Sequence, residues 1–245
     1  MRTDRRAHRV ATRLAGAALA ASVLVALTAC LPVVTPGERR TEDRTIADAS
    51  GVVLRTSGDV TISLGSEPAL TVTGGANVLE RLRTDVEGDR LVIDLQRGPI
   101  VVGANELDIS ITLTSLDEVV ISGSGDVSAE FGDADDVSLE IRGSGDITAE
   151  GLDATSVRAA ISGSGSIEPA GTAARLEVDV SGSGNVDASG LRAEEAVVRL
   201  SGSGEITVDA SDTLDVTLSG SGTVHYSGRP QVRSSISGSG SITPD

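Results

Sequence analysis

The chain has 245 residues, with 20 Arg and no Lys against 36 acidic residues, for a net charge of −16. It holds one Tyr, one Phe, no Trp and one Cys, but 29 Gly. This balance excludes an electrostatic grip on nucleic acid, a disulfide framework or multi-cysteine zinc site, and stacking surfaces of aromatic rings for bases or sugars.

Residues 1–29 have the order of a secretory signal. Arg2, Arg5, Arg6, Arg9 and Arg13 form a positive start, and an apolar run extends from Leu14 to Leu27. That run is shorter than the roughly 20 residues of a membrane span, and it ends in small residues before a cleavage point. Leu27-Thr28-Ala29-Cys30 resembles the lipobox of bacterial lipoproteins, which implies that Cys30 becomes the lipidated first residue of the mature chain. Removing residues 1–29 leaves 15 Arg and 35 acidic residues, net −20. Such a chain repels anionic surfaces. The membrane is then a partner only through lipid on Cys30, and stable attachment needs more than one acyl chain. Residues 30–45, with Pro32, Pro36, Gly37 and a mixed charge run, are expected to be a flexible tether.

The domain is expected over 46–245, with an irregular first part over 46–118. Strand-like runs occur at Val60–Leu64, Leu70–Thr73, Leu91–Leu95 and Leu107–Leu113, and Asn77–Arg83 suits one or two helical turns. Leu54 to Val60 echoes the repeat described next, with one Gly lost. These segments predict opening coils of the same stack with longer excursions, shielding one open end from edge pairing. Pro244 suits a last strand that must not be extended.

The rest is a repeat. The element apolar-x-Gly-Ser-Gly-x-apolar occurs seven times, starting at Ile121, Ile141, Ile161, Val180, Leu200, Leu218 and Ile236. Its corner glycines are Gly123 and Gly125, Gly143 and Gly145, Gly163 and Gly165, Gly182 and Gly184, Gly202 and Gly204, Gly220 and Gly222, Gly238 and Gly240. Before each corner comes a period-two alternation, such as Val137, Leu139, Ile141. A shorter one follows, such as Val127 and Ala129. Period two with one apolar face is a half-buried strand. A unit of about 18–20 residues cannot bury its face alone, but stacked units can. The expected fold is all-β: a right-handed parallel β-helix, or β-solenoid, with a narrow aliphatic core. Seven coils would make a stack of roughly 30–35 Å. The glycines supply backbone angles that a sharp corner needs, and the serines between them should point outward.

With Ser57-Gly58-Asp59-Val60-Thr61-Ile62, with Asp85-Val86-Glu87-Gly88-Asp89-Arg90-Leu91-Val92-Ile93 and with the seven corners, the run from Ile46 to Ile242 resembles the auto-transporter adhesin head GIN domain family. This is a domain of unknown function found in bacterial lipoproteins and secreted proteins. The resemblance implies a β-helical fold and a surface location, and it carries no catalytic residues. The chain departs from the pattern at Arg55 and Thr56, where the first corner would have Ser and Gly.

Asp126 and Asp146 follow the second glycine of their corners, and these stacked carboxylates are the candidate metal ligands. Calcium-binding β-rolls, however, place ligands at both corners of a nine-residue repeat. Solvated side chains or Asx-type hydrogen bonds suit Asp126 and Asp146 better. His225 falls between inward Val224 and Tyr226 and so faces outward. No GxSxG, HExxH or phosphate-loop motif occurs. Polysaccharide-active β-helices usually cluster carboxylates, basic residues and aromatic rings on one face, and no such cluster is legible here. The expectation is therefore a lipid-anchored, extracytoplasmic solenoid with an adhesion or binding role, no catalysis and no cofactor. It would sit at the membrane or cell surface and meet an envelope or host surface ligand. The alternative is a structural envelope protein that assembles through its solenoid ends.

Overall fold

The structure, a computed structural model, describes residues 33–98, 100–101 and 106–245. The expected signal at 1–29 and the lipidation residue Cys30 lie outside the described residues.

In chain order, β1 (Val33–Val34) and β2 (Arg39–Arg44) precede β3 (Gly51–Leu54) and β4 (Asp59–Leu64). Then come β5 (Ala69–Gly75), the single helical turn α1 (Ala76–Leu79), β6 (Leu82–Glu87), β7 (Arg90–Leu95), β8 (Ile100–Val101) and β9 (Asp108–Leu113). The regular stack starts with β10 (Glu118–Ile121), β11 (Asp126–Glu130) and β12 (Asp133–Ile141). It continues through β13 (Asp146–Gly163), β14 (Ser166–Gly182), β15 (Asn185–Gly202) and β16 (Glu205–Gly220). It closes with β17 (Thr223–Gly228), β18 (Gln231–Gly238) and β19 (Ser241–Pro244).

From β10 onward every pairing is parallel, and equivalent residues of successive repeats lie side by side. Ile121 pairs with Ile141, Ile141 with Ile161, Ile161 with Val180, Val180 with Leu200, Leu200 with Leu218 and Leu218 with Ile236. The fold is thus a β-solenoid of about six turns, since seven corners delimit six complete turns. The first six of these column residues are buried. A second column runs through Val60, Val127, Ile147, Ile167, Val186, Ile206 and Val224. Removing one such side chain leaves a cavity between rungs that cannot collapse, a loss of about 2–5 kcal/mol for Ile→Ala.

Coils of 18, 19 and 20 residues stack because only the wide corner absorbs the difference. Between β13 and β14 the partner of Ile147 is Ile167, whereas that of Leu152 is Gly171. The register therefore slips by one residue between these two pairs. Between β14 and β15 the slip falls from Ile167 to Gly171, around Pro169, which has no N–H to donate to the ladder. Over the Gly-Ser-Gly corners the register does not slip. Every corner glycine from Gly143 onward lies over its predecessor: a Cβ on Gly145 would run into the Gly125 carbonyl oxygen, and one on Gly143 into that of Gly123. Neither glycine is among those with positive φ. Close approach of stacked backbones is thus the demand common to these corners. Left-handed geometry is added at some of them, such as Gly202 with φ 143°. Ser124, Ser144 and their equivalents are exposed.

The first part differs from the expected run of opening coils. β3 and β4 stack in parallel on β10 and β11. The next layer outward is formed by β7 and β9, which come later in the chain and pair in parallel with β3 and β4. Beyond these, β6 is antiparallel to β7 and β5 antiparallel to β9. The end is therefore closed by antiparallel strands, which the parallel stack cannot continue. β2 pairs antiparallel with β5, so residues 39–44, expected within the flexible tether, form a strand. Charged residues fill both its faces, and so its sequence has no apolar alternation. Arg44 donates to the carbonyl oxygens of Leu82 at 2.7 Å and Leu79 at 2.8 Å, placing a cation at the carbonyl end of α1. That turn is shorter than the expected Asn77–Arg83, because Leu82 and Arg83 already belong to β6. β1 pairs in parallel with β8. No helix among the described residues is long and apolar enough to cross a membrane.

Candidate functional site

Residues that alternate with the buried columns point outward and form columns of their own. On the flank that ends at the Gly-Ser-Gly corners, the column next to the corner runs Arg142, Ser162, Ser181, Ser201, Ser219 and Ser237. The middle column runs Val92, Val53, Val120, Glu140, Ala160, Asp179, Arg199, Thr217 and Ser235. Ala160 and the serines are short, whereas Glu140, Asp179 and Arg199 stand up beside them. The difference in height makes a groove of about 370 Å³ along the stack, lined by these residues and by Thr217. The floor combines the hydroxyls of Ser162, Ser181, Ser201 and Ser219 with the apolar surface of Ala160, Ile161, Val180 and Leu200, and the wall offers charge.

The wall is tied together across rungs. Arg158 Nη1 lies 3.0 Å from Glu177 and its Nη2 2.5 Å from Asp179. Arg199 Nη1 donates to Glu177 and, at 3.2 Å, to Asp179. Parallel register sets Arg158 beside Glu177 and Asp179 beside Arg199, and the other two contacts are diagonals. Two guanidinium groups thus enclose two carboxylates. The hydrogen bond from Arg199, with the charge of Arg158, holds the Glu177 carboxyl below its usual range, and Glu177 in turn raises Arg199. A network of this kind fixes side chains that would otherwise be mobile, although each exposed pair alone stabilises little.

At the antiparallel end the same face carries three outward valines. Val53, Val92 and Val120 are stacked and nearly covered, at 5–7% exposure. Arg90 donates to Glu118 at 2.9 Å, and Arg142 to Glu140 at 2.7 and 2.8 Å. Together with Arg55 and Glu87, the valines and Arg90, Glu118 and Arg142 line a cleft of about 180 Å³.

Asp126 and Asp146 are engaged with the backbone. Asp126 Oδ1 accepts from the Asp146 N–H at 3.0 Å, and Asp146 Oδ1 accepts from the Ser166 N–H at 2.8 Å. Asn185 Oδ1 does the same for the Glu205 N–H at 3.0 Å. Where Ser166, Glu205 or Thr223 occupies the position, the next N–H donates to a corner glycine carbonyl instead. Among the described residues no three or more His, Cys, Asp or Glu side chains converge as a metal site. His225 Nδ1 lies 3.4 Å from Asp245 and its Nε2 3.7 Å from Glu205. Thr56 occupies the corner position beneath Gly123, stacked on Gly123 through its carbonyl, so the first corner forms without its glycine.

The outward residues Glu140, Arg158, Asp179 and Arg199 are individually visible in the sequence as polar positions between buried ones. Their joining is not, because the partners are 19 to 22 positions apart. Applying the 19- and 20-residue coil offsets to the charged positions would have placed Arg158 beside Glu177.

Residues 49–230 match the family described as "Putative auto-transporter adhesin, head GIN domain". The sequence matches none of the curated proteins. Among solved structures, the chain is similar to a "putative adhesin" from Bacteroides fragilis, with 23% identity and a TM-score of 0.82 over 86% of this chain and all of that one. It is also similar to a "putative lipid binding protein" from Parabacteroides distasonis, with 26% identity and a TM-score of 0.72 over 87% of this chain and 99% of that one. A "putative adhesin" from Parabacteroides merdae aligns at 20% identity and a TM-score of 0.68 over 87% and 99% of the two chains.

Proposed function

Because this chain belongs to the auto-transporter adhesin head GIN domain family, we propose that it is a lipid-anchored surface adhesion module without catalysis. In this reading residues 1–29 direct export and are removed, Cys30 receives the lipid, and the solenoid stands outside the cytoplasmic membrane. The observation that carries the binding role is the groove between Glu140 and Ser219, with serine hydroxyls on its floor and with Asp179 and Arg199 in its wall, held in place by Arg158 and Glu177. Its repeat equals the strand spacing, about 4.8 Å, so an extended polar polymer lying along the stack would meet equivalent hydroxyls at successive rungs.

The lipid-binding name of the Parabacteroides distasonis protein suggests direct lipid contact as a second reading. Val53, Val92 and Val120 are the apolar outward residues that would serve it, but they are covered, and the strong negative charge opposes anionic headgroups. The acyl group on Cys30 is the better route to the membrane.

Two measurements test the proposal. Cys30→Ala should release the protein from the membrane fraction, and a variant that stays as tightly bound as the wild type removes the anchor. In a binding screen against envelope polymers and host surface glycans, Ser181→Trp, which fills the groove, should abolish binding. A ligand held equally well by that variant removes the groove as the site.

A further inference from the structure

We propose that the free edge of β18 is an interface between two copies of this chain, docked tail to tail about a two-fold axis through Ser234. β18 pairs with β16 on one edge, and nothing among the described residues pairs with the other. Val232 and Ile236 continue the buried columns of Leu214 and Leu218 but are 39% and 47% exposed.

The occupant follows from register, charge and closure. In this stack the outward residues direct their backbone groups to the preceding rung: Ser138 N–H donates to the Asp117 carbonyl and Arg142 N–H to that of Ile121. In β18 the outward residues Arg233, Ser235 and Ser237 therefore face β16. Val232, Ser234 and Ile236 present N–H and C=O to the free edge. An antiparallel copy centred on Ser234 sets Val232 against Ile236 of the other strand, with all three residues in hydrogen-bonded pairs. Both apolar side chains are then buried, and Arg233 falls opposite Ser235, so no like charges meet.

The strongly acidic chain has also cleared this end of charge. Residues 231–245 contain only Arg233 and Asp245, whereas 205–220 contain Glu205, Asp209, Asp212 and Asp215 and no base. Pro244 lacks an N–H, which makes β19 a poor edge for extension and concentrates pairing on β18. The opposite end of the solenoid is closed by antiparallel strands, and β2, outside β5, is charged at five of its six positions. An edge left unpaired among the described residues and a blunted opposite end give a closed pair, not a filament.

Disulfide trapping in the full chain tests this. Two Ser234→Cys residues at the axis would have Cα atoms about 5.5 Å apart, within disulfide range. Ser234→Cys should give a covalent dimer under mild oxidation, while Ser201→Cys, in the groove, should stay monomeric. Adding Ile236→Arg should reduce trapping at least tenfold with the β-sheet circular dichroism unchanged. The unsubstituted chain in detergent should sediment as a dimer at micromolar concentration. Trapping of Ser234→Cys no greater than that of Ser201→Cys overturns the proposal. So does cross-linking to a different protein, and so does a monomer or an open-ended polymer in the sedimentation measurement.

Discussion

The Asp126 carboxylate stands between its own rung and the next, accepting the backbone N–H of Asp146 at 3.0 Å, as Asp146 does for Ser166 and the Asn185 side-chain oxygen for Glu205, where other rungs use a glycine carbonyl. Replacing it therefore leaves a fallback acceptor in the Gly125 carbonyl. Asp126→Ala should lower stability by about 0.5–1.5 kcal/mol. Asp126→Asn should lie near the wild type, because Asn185 already performs this task. Denaturant titration of both variants measures the difference, and equal losses would remove the interposed acceptor from the account.

The corner glycines make a sharper prediction. A Cβ on Gly202 would enter the space of the Gly182 carbonyl oxygen, at a φ of 143° that side chains avoid. Gly202→Val should cost about 3 kcal/mol or more. Ser203→Val, one residue along and exposed, should stay within about 0.5 kcal/mol of the wild type. Thermal unfolding of the pair checks this, since a general intolerance of the corner would lower both.

The charged wall predicts a pH dependence. The folded state holds the Glu177 carboxyl below its usual range through Arg199 and Arg158, and Thr114 does the same for Asp48 by donating at 2.5 Å. Protons therefore bind these groups more weakly in the folded than in the unfolded chain. The stabilisation is complete above the ordinary carboxylate range near pH 4 and fades as pH falls through the lowered folded values. Solvent screening keeps the Glu177 contribution within about 1 kcal/mol. Glu177→Gln should unfold below the wild-type temperature at pH 6 and with it at pH 2. A gap that persists at pH 2 would assign the loss to packing.

β2 supplies the fourth prediction. It covers the edge of β5, and Thr41 and Thr73 share a hydrogen bond of 2.8 Å across the pair. Deleting residues 39–44 exposes that edge and strips Arg44 from the carbonyls of Leu79 and Leu82. Light scattering should show aggregation of the deleted chain under conditions where the parent stays dispersed.

The sequence alone determined the stacked rungs, the buried columns and the family resemblance. Period two and a near-constant coil length are local signals, and each repeat of Ile141, Ile161 and Val180 states the same register again. The tertiary structure decided what depends on partners distant in the chain. β7 and β9 slot outside β3 and β4 against chain order, the charged segment Arg39–Arg44 becomes a strand because β5 offers an edge, and Arg199 closes on Glu177 22 residues away. None of these leaves a periodic trace. Burial by stacking repeats along the chain and is written there, whereas edge pairing and diagonal ion pairs arise only when separate rungs are brought together.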